Sequence, residues 1–443
     1  MRCLFLFSVF IIIAGCGRKE IKKPADIIAA NSKAVFFTPQ LKRVFDNIPS
    51  DLSPKFKFYR DGLSAVLDEN QAAAVVITSF DPFEVYLALP AKEGLDESLK
   101  LFLDEQLQLS MKSESWSSYV FVPLKGNLPA SFGNEKFLPR NEDAILYVKV
   151  DIEALLEGQD DKLESYKKYE TLREFRSFCS DAMNRILTRF VTHDLSDFCK
   201  QAEMLQIELN SKKLSGSLTL KPGSDAAESF NSMKSFTLPV CENKGEDLSF
   251  ASTVDFSKLE FPLKGLETSL KSYLSLINKP EAIFPMDTVF QKLRESGKVN
   301  ISGHFAVRDE TLKGEGKAVA ENGVTFNESL SKFCKLMAPE FVSPFIESDS
   351  KKKYGKAFFN PYIILGKSVK TEFRMDLDTD KIFLVDKSVD RPSVKIVNSQ
   401  EKGLLKIFIK PESFLPLELG VNMLELEVTV EENEIKIHAE RKE

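Results

Sequence analysis

Residues 142–157 read EDAILYVKVDIEALLE, and residues 246–261 read EDLSFASTVDFSKLEF. The two stretches align without a gap. Glu-Asp opens both, Val150-Asp151 matches Val254-Asp255, Ile152 matches Phe256, and Leu155 matches Leu259. Alternating apolar residues that end on Asp before a three- and four-spaced apolar pattern read as a strand entering a helix. Asp151 and Asp255 fall where an N-cap belongs, because a short side-chain oxygen there accepts from an orphan helix amide. Two weaker copies follow the same plan: AVFFTPQL from Ala34 and LLKIFIKPESF from Leu404, with Pro39 and Pro411 near the first helical position.

Working outward, each strand-to-helix stretch is followed by a hairpin. Leu205, Ile207 and Leu209 alternate, Asn210–Lys213 turns, and Leu214, Gly216, Leu218 and Leu220 alternate. Val299 to Val307 turns through Arg308–Thr311 into Leu312 to Ala318, and Leu424 to Val430 turns through Glu431–Glu434 into Ile435 to Ala439. A looser hairpin runs from Val75 to Leu89 through Asp81-Pro82. Gly94, Gly223 and Gly323 then each precede an apolar helical pattern, and Thr325 with Glu328 fits a capping box. The reading is a duplicated unit of strand, helices, hairpin and helix, beginning near residues 30, 142, 246 and 401, the last without central helices. It implies an α+β fold whose antiparallel sheets are covered by helices. If equivalent residues do equivalent jobs, Ile152 and Phe256 are buried at helix starts. Leu205, Leu209, Leu214 and Leu218 then share a covered sheet face with the matched Val299, Ile301, Leu312 and Gly316, and the lysines and glutamates between them face solvent. Two units each give domains over 25–240 and 241–443.

The chain is 443 residues long, with 28% charged residues and Gly and Pro at 20 each, which excludes collagen-like, low-complexity and small disulfide-stapled classes. A net charge of −6 removes the basic footprint of a nucleic-acid binder, so no nucleic-acid partner is expected.

The N-terminus is MRCLFLFSVFIIIAGC. Arg2 is a minimal positive region, and Leu4 to Gly15 is apolar except for Ser8, shorter than the roughly 20 residues a spanning helix needs. Ile13-Ala14-Gly15-Cys16 resembles the lipobox of bacterial lipoproteins. That resemblance implies a signal peptide over 1–15, cleavage before Cys16, diacylglycerol on the Cys16 sulfur and acylation of the new amino group. Ile13 stands where the family usually has Leu. Gly17, in place of a retention Asp, points to the outer membrane where the host has one. Residues 16–24 form a lipidated Cys and a basic tether (Arg18, Lys19, Lys22, Lys23) that reaches at most about 28 Å. Several acyl chains hold durably where one does not, at about 0.8 kcal/mol per buried methylene. The mature part resembles uncharacterised exported bacterial proteins with internal repeats, and no functional residue carries over from them.

Of the six cysteines, Cys179, Cys199, Cys241 and Cys334 remain beside Cys3 and Cys16. Four allow three pairings, and none makes a CxxC, so zinc ribbons and thioredoxin-like sites are not indicated. A helical hairpin turning at Thr192-His193-Asp194 would bring Cys179 and Cys199 together as a disulfide. The stripe Leu163, Tyr166, Tyr169, Leu172, Phe175, Phe178, Met183, Ile186, Leu187 and Phe190 reads as core packing. Trp116, the one tryptophan, reads as half-buried under the polar loop 110–118.

The three histidines are dispersed, without HExxH, and His304 and His438 fall between apolar strand positions and so face away from them. Asp376, Asp378 and Asp380 spell DxDxD, but Lys381 and Lys387 replace the Gly and Glu a calcium loop needs, so a hairpin is expected there. Gly366-Lys367-Ser368 lacks the first glycine of a phosphate loop, and Ser348 with Lys351 lacks the partners of a serine acyl-enzyme. His193-Asp194 holds a base beside its orienter, without a nucleophile motif. No catalytic residue, metal site or cofactor is assigned. The expectation is a membrane-anchored lipoprotein of the bacterial cell envelope, non-catalytic, binding a protein or lipid-like partner or serving a structural role. The alternative is an envelope hydrolase of peptide or glycan, with a site built from dispersed acids or His193.

Overall fold

The computed structural model describes residues 21, 23–47, 54–107, 113–139, 143–157, 165, 168–169, 172–173, 181–241, 246–276, 280–308, 311–337, 342–343, 354–359, 373–377, 381–386, 398–414 and 422–442. Cys16 and the signal sequence lie outside them. Contacts divide the chain into two compact units: Met1–Gln159 with Glu203–Ser217, and Asp160–Ala202 with Leu218–Glu443.

The first unit contains β1 (Ala34–Thr38), α1 (Leu41–Asp46), α2 (Pro54–Val66), β2 (Ala73–Phe80), β3 (Phe83–Pro90), α3 (Asp96–Leu107), β4 (Glu114–Trp116), β5 (Tyr119–Lys125), β6 (Leu146–Asp151), α4 (Ile152–Leu156), β7 (Ala202–Leu209) and the start of β8 (Lys213–Leu220). Its strands pair antiparallel in the order β4-β5-β3-β2-β1-β6-β7. Strand alternation sends Phe36 to one face and Val35 and Phe37 to the other. On the first face, Leu63 of α2 and Leu99 and Leu103 of α3 bury Leu87, Leu89, Val120 and Val122. Gly62 lies under the Phe102 ring, where a Cβ would come within 2.4 Å, so that glycine sets how closely α2 and α3 approach. On the second face, Val35, Phe37, Val76, Tyr86, Phe121 and Tyr147 bury the N-terminal residues Ile27 and Ile28 and the loop residue Phe137. The Tyr86 hydroxyl donates to the Ile27 carbonyl (2.9 Å) and accepts from the Ala29 amide (2.7 Å), fastening the start of the fold to the sheet.

The second unit opens with α5 (Asp181–Arg189), which runs on through a π-helical turn (Phe190–Leu195) into Ser196–Cys199. Then come α6 (Asp225–Asn231), β9 (Thr237–Pro239), β10 (Leu248–Asp255), α7 (Glu260–Leu276), α8 (Ile283–Glu295), β11 (Lys298–Arg308), β12 (Thr311–Ala320) and α9 (Gly323–Met337). They are followed by β13 (Val342–Ser343), β14 (Tyr354–Phe359), β15 (Phe373–Leu377), β16 (Lys381–Asp386), β17 (Asn398–Lys402), β18 (Leu405–Ile409), α10 (Pro411–Phe414), β19 (Met423–Glu431) and β20 (Glu434–Lys442). The sheet order is β14-β15-β16-β12-β11-β10-β18-β19-β20, antiparallel throughout, with β13 beside β14 and a separate β9–β17 ribbon. Ile186 of α5 packs with Leu263, Leu270 and Tyr273 of α7 and Met286, Val289 and Phe290 of α8.

The fold is α+β, and the duplicated unit is written into the strand pairing. In each copy the first strand pairs with the first hairpin strand: β1 with β2, β6 with β7, β10 with β11 and β18 with β19. Val150 stands opposite Leu205 and Val254 opposite Val299, so the aligned valines keep the same register. The copies then join in pairs through their first strands, β1 against β6 and β10 against β18. Antiparallel joining places the start of one first strand beside the helix that follows its partner. Accordingly Arg43 of α1 donates to the Ala144 carbonyl (3.4 Å), while Ser413 of α10 donates to Asp247 (3.0 Å).

Several local expectations change. Asp151 caps α4 by accepting from the Ala154 amide (2.9 Å), but Asp255 accepts from the Ser257 amide (3.0 Å) in a turn, and α7 starts only at Glu260. Its chain must turn before the helix can start, which leaves Phe256 half-buried, stacked on Phe326 of α9, where Ile152 is buried. At α9, Asn322 rather than Thr325 receives an end amide, that of Thr325 (3.4 Å), and Glu328 pairs with Lys292. Gly94 and Gly223 both take positive φ (72° and 75°), which explains glycine at the hairpin-to-helix corner.

Candidate functional site

Beside the parts of it that helices cover, each sheet leaves a stretch of the face that the sequence marks as apolar only half-buried. In the second unit, register stacks Phe305, Leu248, Ile409 and Leu424 in one cross-strand row, Phe250, Ile407 and Leu426 in the next, and Leu405, Val428 and Ile437 in a third. All but Phe305 are half-buried or exposed, and Ile437 is 43% exposed. Phe250 stacks parallel to Phe305 with centroids 6.0 Å apart. Glycines make the room: a Cβ on Gly303 would meet the Phe250 ring at 3.0 Å, and one on Gly314 the Phe305 Cα at 2.8 Å. In the first unit, Leu146, Val148 and Val150 of β6 stand opposite Leu209, Ile207 and Leu205 of β7 on one face, with Phe36 of β1 opposite Val148. None of these is fully buried, and Leu209 and Leu214 are exposed. Each unit therefore presents aliphatic side chains on the strands where two copies meet.

The expected burial holds only in part. Val299 and Gly316 are buried as the alignment requires, but Leu205, Leu218 and Ile301 are half-buried, Leu209 and Leu214 are exposed, the Leu312 side chain lies outside the described residues, and several polar positions between the apolar ones are covered. Ser249, Thr253, Glu315 and Glu425 are all buried. Part of the reason is the β9–β17 ribbon: the Thr253 hydroxyl donates to the Thr237 carbonyl (2.9 Å), and Phe236 and Leu238 are buried. The rest is mutual satisfaction. Lys406 Nζ lies 2.9 Å from Glu425, 2.6 Å from Glu427 and 2.5 Å from Glu401, and Lys442 lies 2.6 Å from Glu425. Burial opposes the Lys406 charge, but the three carboxylates outweigh it and hold its pKa above the ordinary lysine value. Burial likewise opposes the Glu425 charge, and Lys442 and Lys406 outweigh it, holding the carboxyl below its ordinary range. Burial pushes the nearby free Cys241 thiol up to about 11, where it is a poor nucleophile.

Two clusters among the described residues hold hydrolase-type groups, each in a different geometry from a nucleophile with its base. Asp194 lies on the π turn and accepts the Ser269 hydroxyl of α7 directly (2.5 Å), so no imidazole stands between serine and carboxylate. Burial raises the Asp194 pKa. His193 Nε2 lies 3.5 Å from the Arg189 guanidinium. Ser249, His304 and Glu315 do align across three strands, with His304 Nε2 3.8 Å from Glu315. Ser249 is only 2% exposed and its Oγ has no hydrogen-bond partner, so the hydroxyl is neither activated nor reachable.

The remaining expected sites fall as follows. The segment at Thr192-His193-Asp194 is not a turn; the helix passes straight through it. Asn184, Thr188, Thr192 and Ser196, spaced by four, are buried, while Phe190 is exposed rather than core. A π turn keeps four-spaced residues on one face better than an α-helix does. Tyr169 is exposed, and Leu163, Tyr166, Phe175 and Phe178 lie outside the described residues. Of the expected Cys179–Cys199 bridge, Cys199 is a free, half-buried thiol, and Cys179 lies outside the described residues. Trp116 is half-buried, edge-on to Phe132 and bonded to Glu114 (3.0 Å). Leu377 pairs with Ile382, so the strands flanking the DxDxD stretch pair antiparallel as expected, while Asp378 and Asp380 lie outside the described residues. Gly366-Lys367-Ser368, Ser348 and Lys351 lie outside the described residues. Among the described residues no three acids, histidines or cysteines gather for a metal, and no helix is long and apolar enough to cross a membrane. The chain matches no family model, no curated protein and no solved structure.

Proposed function

We propose that this protein is a lipid-anchored, non-catalytic binding protein of the bacterial cell envelope, held by acyl chains on Cys16 and receiving an apolar partner on its open sheet faces. One observation supports the binding reading above others: aliphatic rows stay half-exposed on the copy-joining strands of both units, although the opposite faces of those strands carry buried residues. Contiguous exposed apolar surface of this kind marks an interaction site. Anchorage rests on the lipobox residues and on a short tether, since Ile27 and Ile28 are already built into the first unit.

Two variants test the reading separately. Cys16→Ser should move the chain from the membrane fraction to the soluble fraction after a salt wash; persistence in the membrane sinks the anchor. Val148→Asp and Ile407→Asp should each reduce recovery of the bound partner in a pull-down from the native envelope without lowering expression. Undiminished recovery with both sinks the sheet faces as the site.

A further inference from the structure

The open face of the second unit has a distinctive charge. Across β12, β11, β10, β18, β19 and β20, the described residues whose register puts them on this face are Leu, Ile, Val, Phe, Ala and Gly, with two exceptions. Ser252 is one, and its hydroxyl is consumed by the Leu404 carbonyl (2.7 Å). Arg441 is the other. It stands opposite Leu424 at the end of the row through Ile409, Leu248 and Phe305, and it is exposed. No described acid shares the face, in a chain whose net charge is −6. The seven acids of these strands all alternate to the opposite side, where lysines hold Glu425, Glu427 and Glu440 among them.

We propose that this face binds an anionic amphiphile, its acyl chain laid across the strands and its acid group against Arg441. The inference rests on the binding reading above and names the ligand class. Two features select it over a protein. Protein hot spots are enriched in Trp, Tyr and Arg and poor in Leu and Val, whereas the described residues of these strands make this face mostly aliphatic with Arg441 as its one charged group. An acyl chain needs no hydrogen bonds from such a wall. The half-open part of the face runs from β20 through β19 and β18 to β10, three strand-to-strand steps or about 14 Å at ~4.8 Å each, room for much of an acyl chain, while Val299, Gly303, Phe305, Gly316 and Ala320 beyond it are buried.

The test uses the full chain in nanodiscs with a diazirine-bearing hexadecanoic acid, irradiated and mapped by peptide mass spectrometry. Label is expected on Leu405–Ile409 and Met423–Lys442, suppressed about tenfold by excess hexadecanoate and far less by hexadecylamine. Arg441→Glu should cut labelling roughly two- to fivefold, the range for an exposed charge contact. Ile437→Glu changes an already exposed side chain, so the fold should persist by circular dichroism while labelling falls at least about tenfold. Equal competition by the amine, with Ile437→Glu still abolishing label, overturns the anionic assignment and leaves the apolar site standing. Label that ignores Ile437→Glu overturns both. A photoreactive residue placed at Ile437 that captures one envelope protein instead of lipid overturns the amphiphile in favour of a protein occupant.

Discussion

Replacing Lys406 by Met isolates what the covered polar face contributes. The side chains of Lys406 and Glu425 are 12% and 11% exposed, so the pair lies between two regimes. Surface ion pairs contribute about 0–1 kcal/mol, while breaking a buried pair costs about 3–5 kcal/mol by abandoning a charge. Lys442 remains 2.6 Å from Glu425 after the change, which spares part of that cost. Lys406→Met should therefore destabilise the second unit by about 2 kcal/mol, below the fully buried range. Urea unfolding followed by circular dichroism at pH 7 measures it. Lys406→Met with Glu425→Leu should recover most of the loss, because both charges then leave together. The pH dependence follows from the two directions. Glu425 has a depressed pKa, so its contribution is present above the ordinary glutamate value of 4.5 and is lost as pH falls through the lower folded value. Lys406 has a raised pKa, so its contribution is present below 10.5 and is lost as pH climbs through the higher folded value. A Lys406→Met cost under about 0.5 kcal/mol, or a double variant worse than the single, refutes the account of the network as a coupled, buried charge system.

Three further outcomes are expected. Gly314→Ala should destabilise by more than about 2 kcal/mol in thermal or urea unfolding, since φ is 148° and a Cβ would meet the His304 carbonyl oxygen at 2.1 Å. Tyr86→Phe strands the Ala29 amide and the Ile27 carbonyl, so it should cost about 1–3 kcal/mol and raise amide exchange at Ala29 selectively. Asp151→Ala should cost about 1 kcal/mol through the lost cap and speed exchange at the Ala154 amide in particular; unchanged exchange there would refute the cap.

The repeated unit was legible because strand period, capping Asp and hairpin turns are all local. The gapless match of Val150-Asp151 with Val254-Asp255 carried the alignment, and the pairing of both valines in the same register explains why it worked. Which sheet face would be covered was not legible. Leu424 and Leu426 and the Glu425 between them specify two faces, but what covers each comes from Lys406 and Lys442, residues distant or on the next strand. The helix of Asp181–Cys199 misled for a related reason. A buried row of Asn184, Thr188, Thr192 and Ser196 looks like an exposed polar face until tertiary packing turns it inward. Arg441 carried no signal, since one arginine near a terminus is ordinary until register sets it at the end of an aliphatic row.

The joining of like first strands, β1 to β6 and β10 to β18, has an ancestral consequence. One copy alone ends its sheet on a bare first strand, an edge that invites a second molecule. Two identical chains meeting there in antiparallel fashion form an isologous, two-fold contact. Tandem fusion turns that encounter into an intramolecular one, so assembly no longer depends on how much protein the cell makes. It also frees the two halves to diverge, since a change in one is no longer copied into the other. The fourth copy, in which α10 is the one helix described between its first strand and its hairpin, is what such freedom permits.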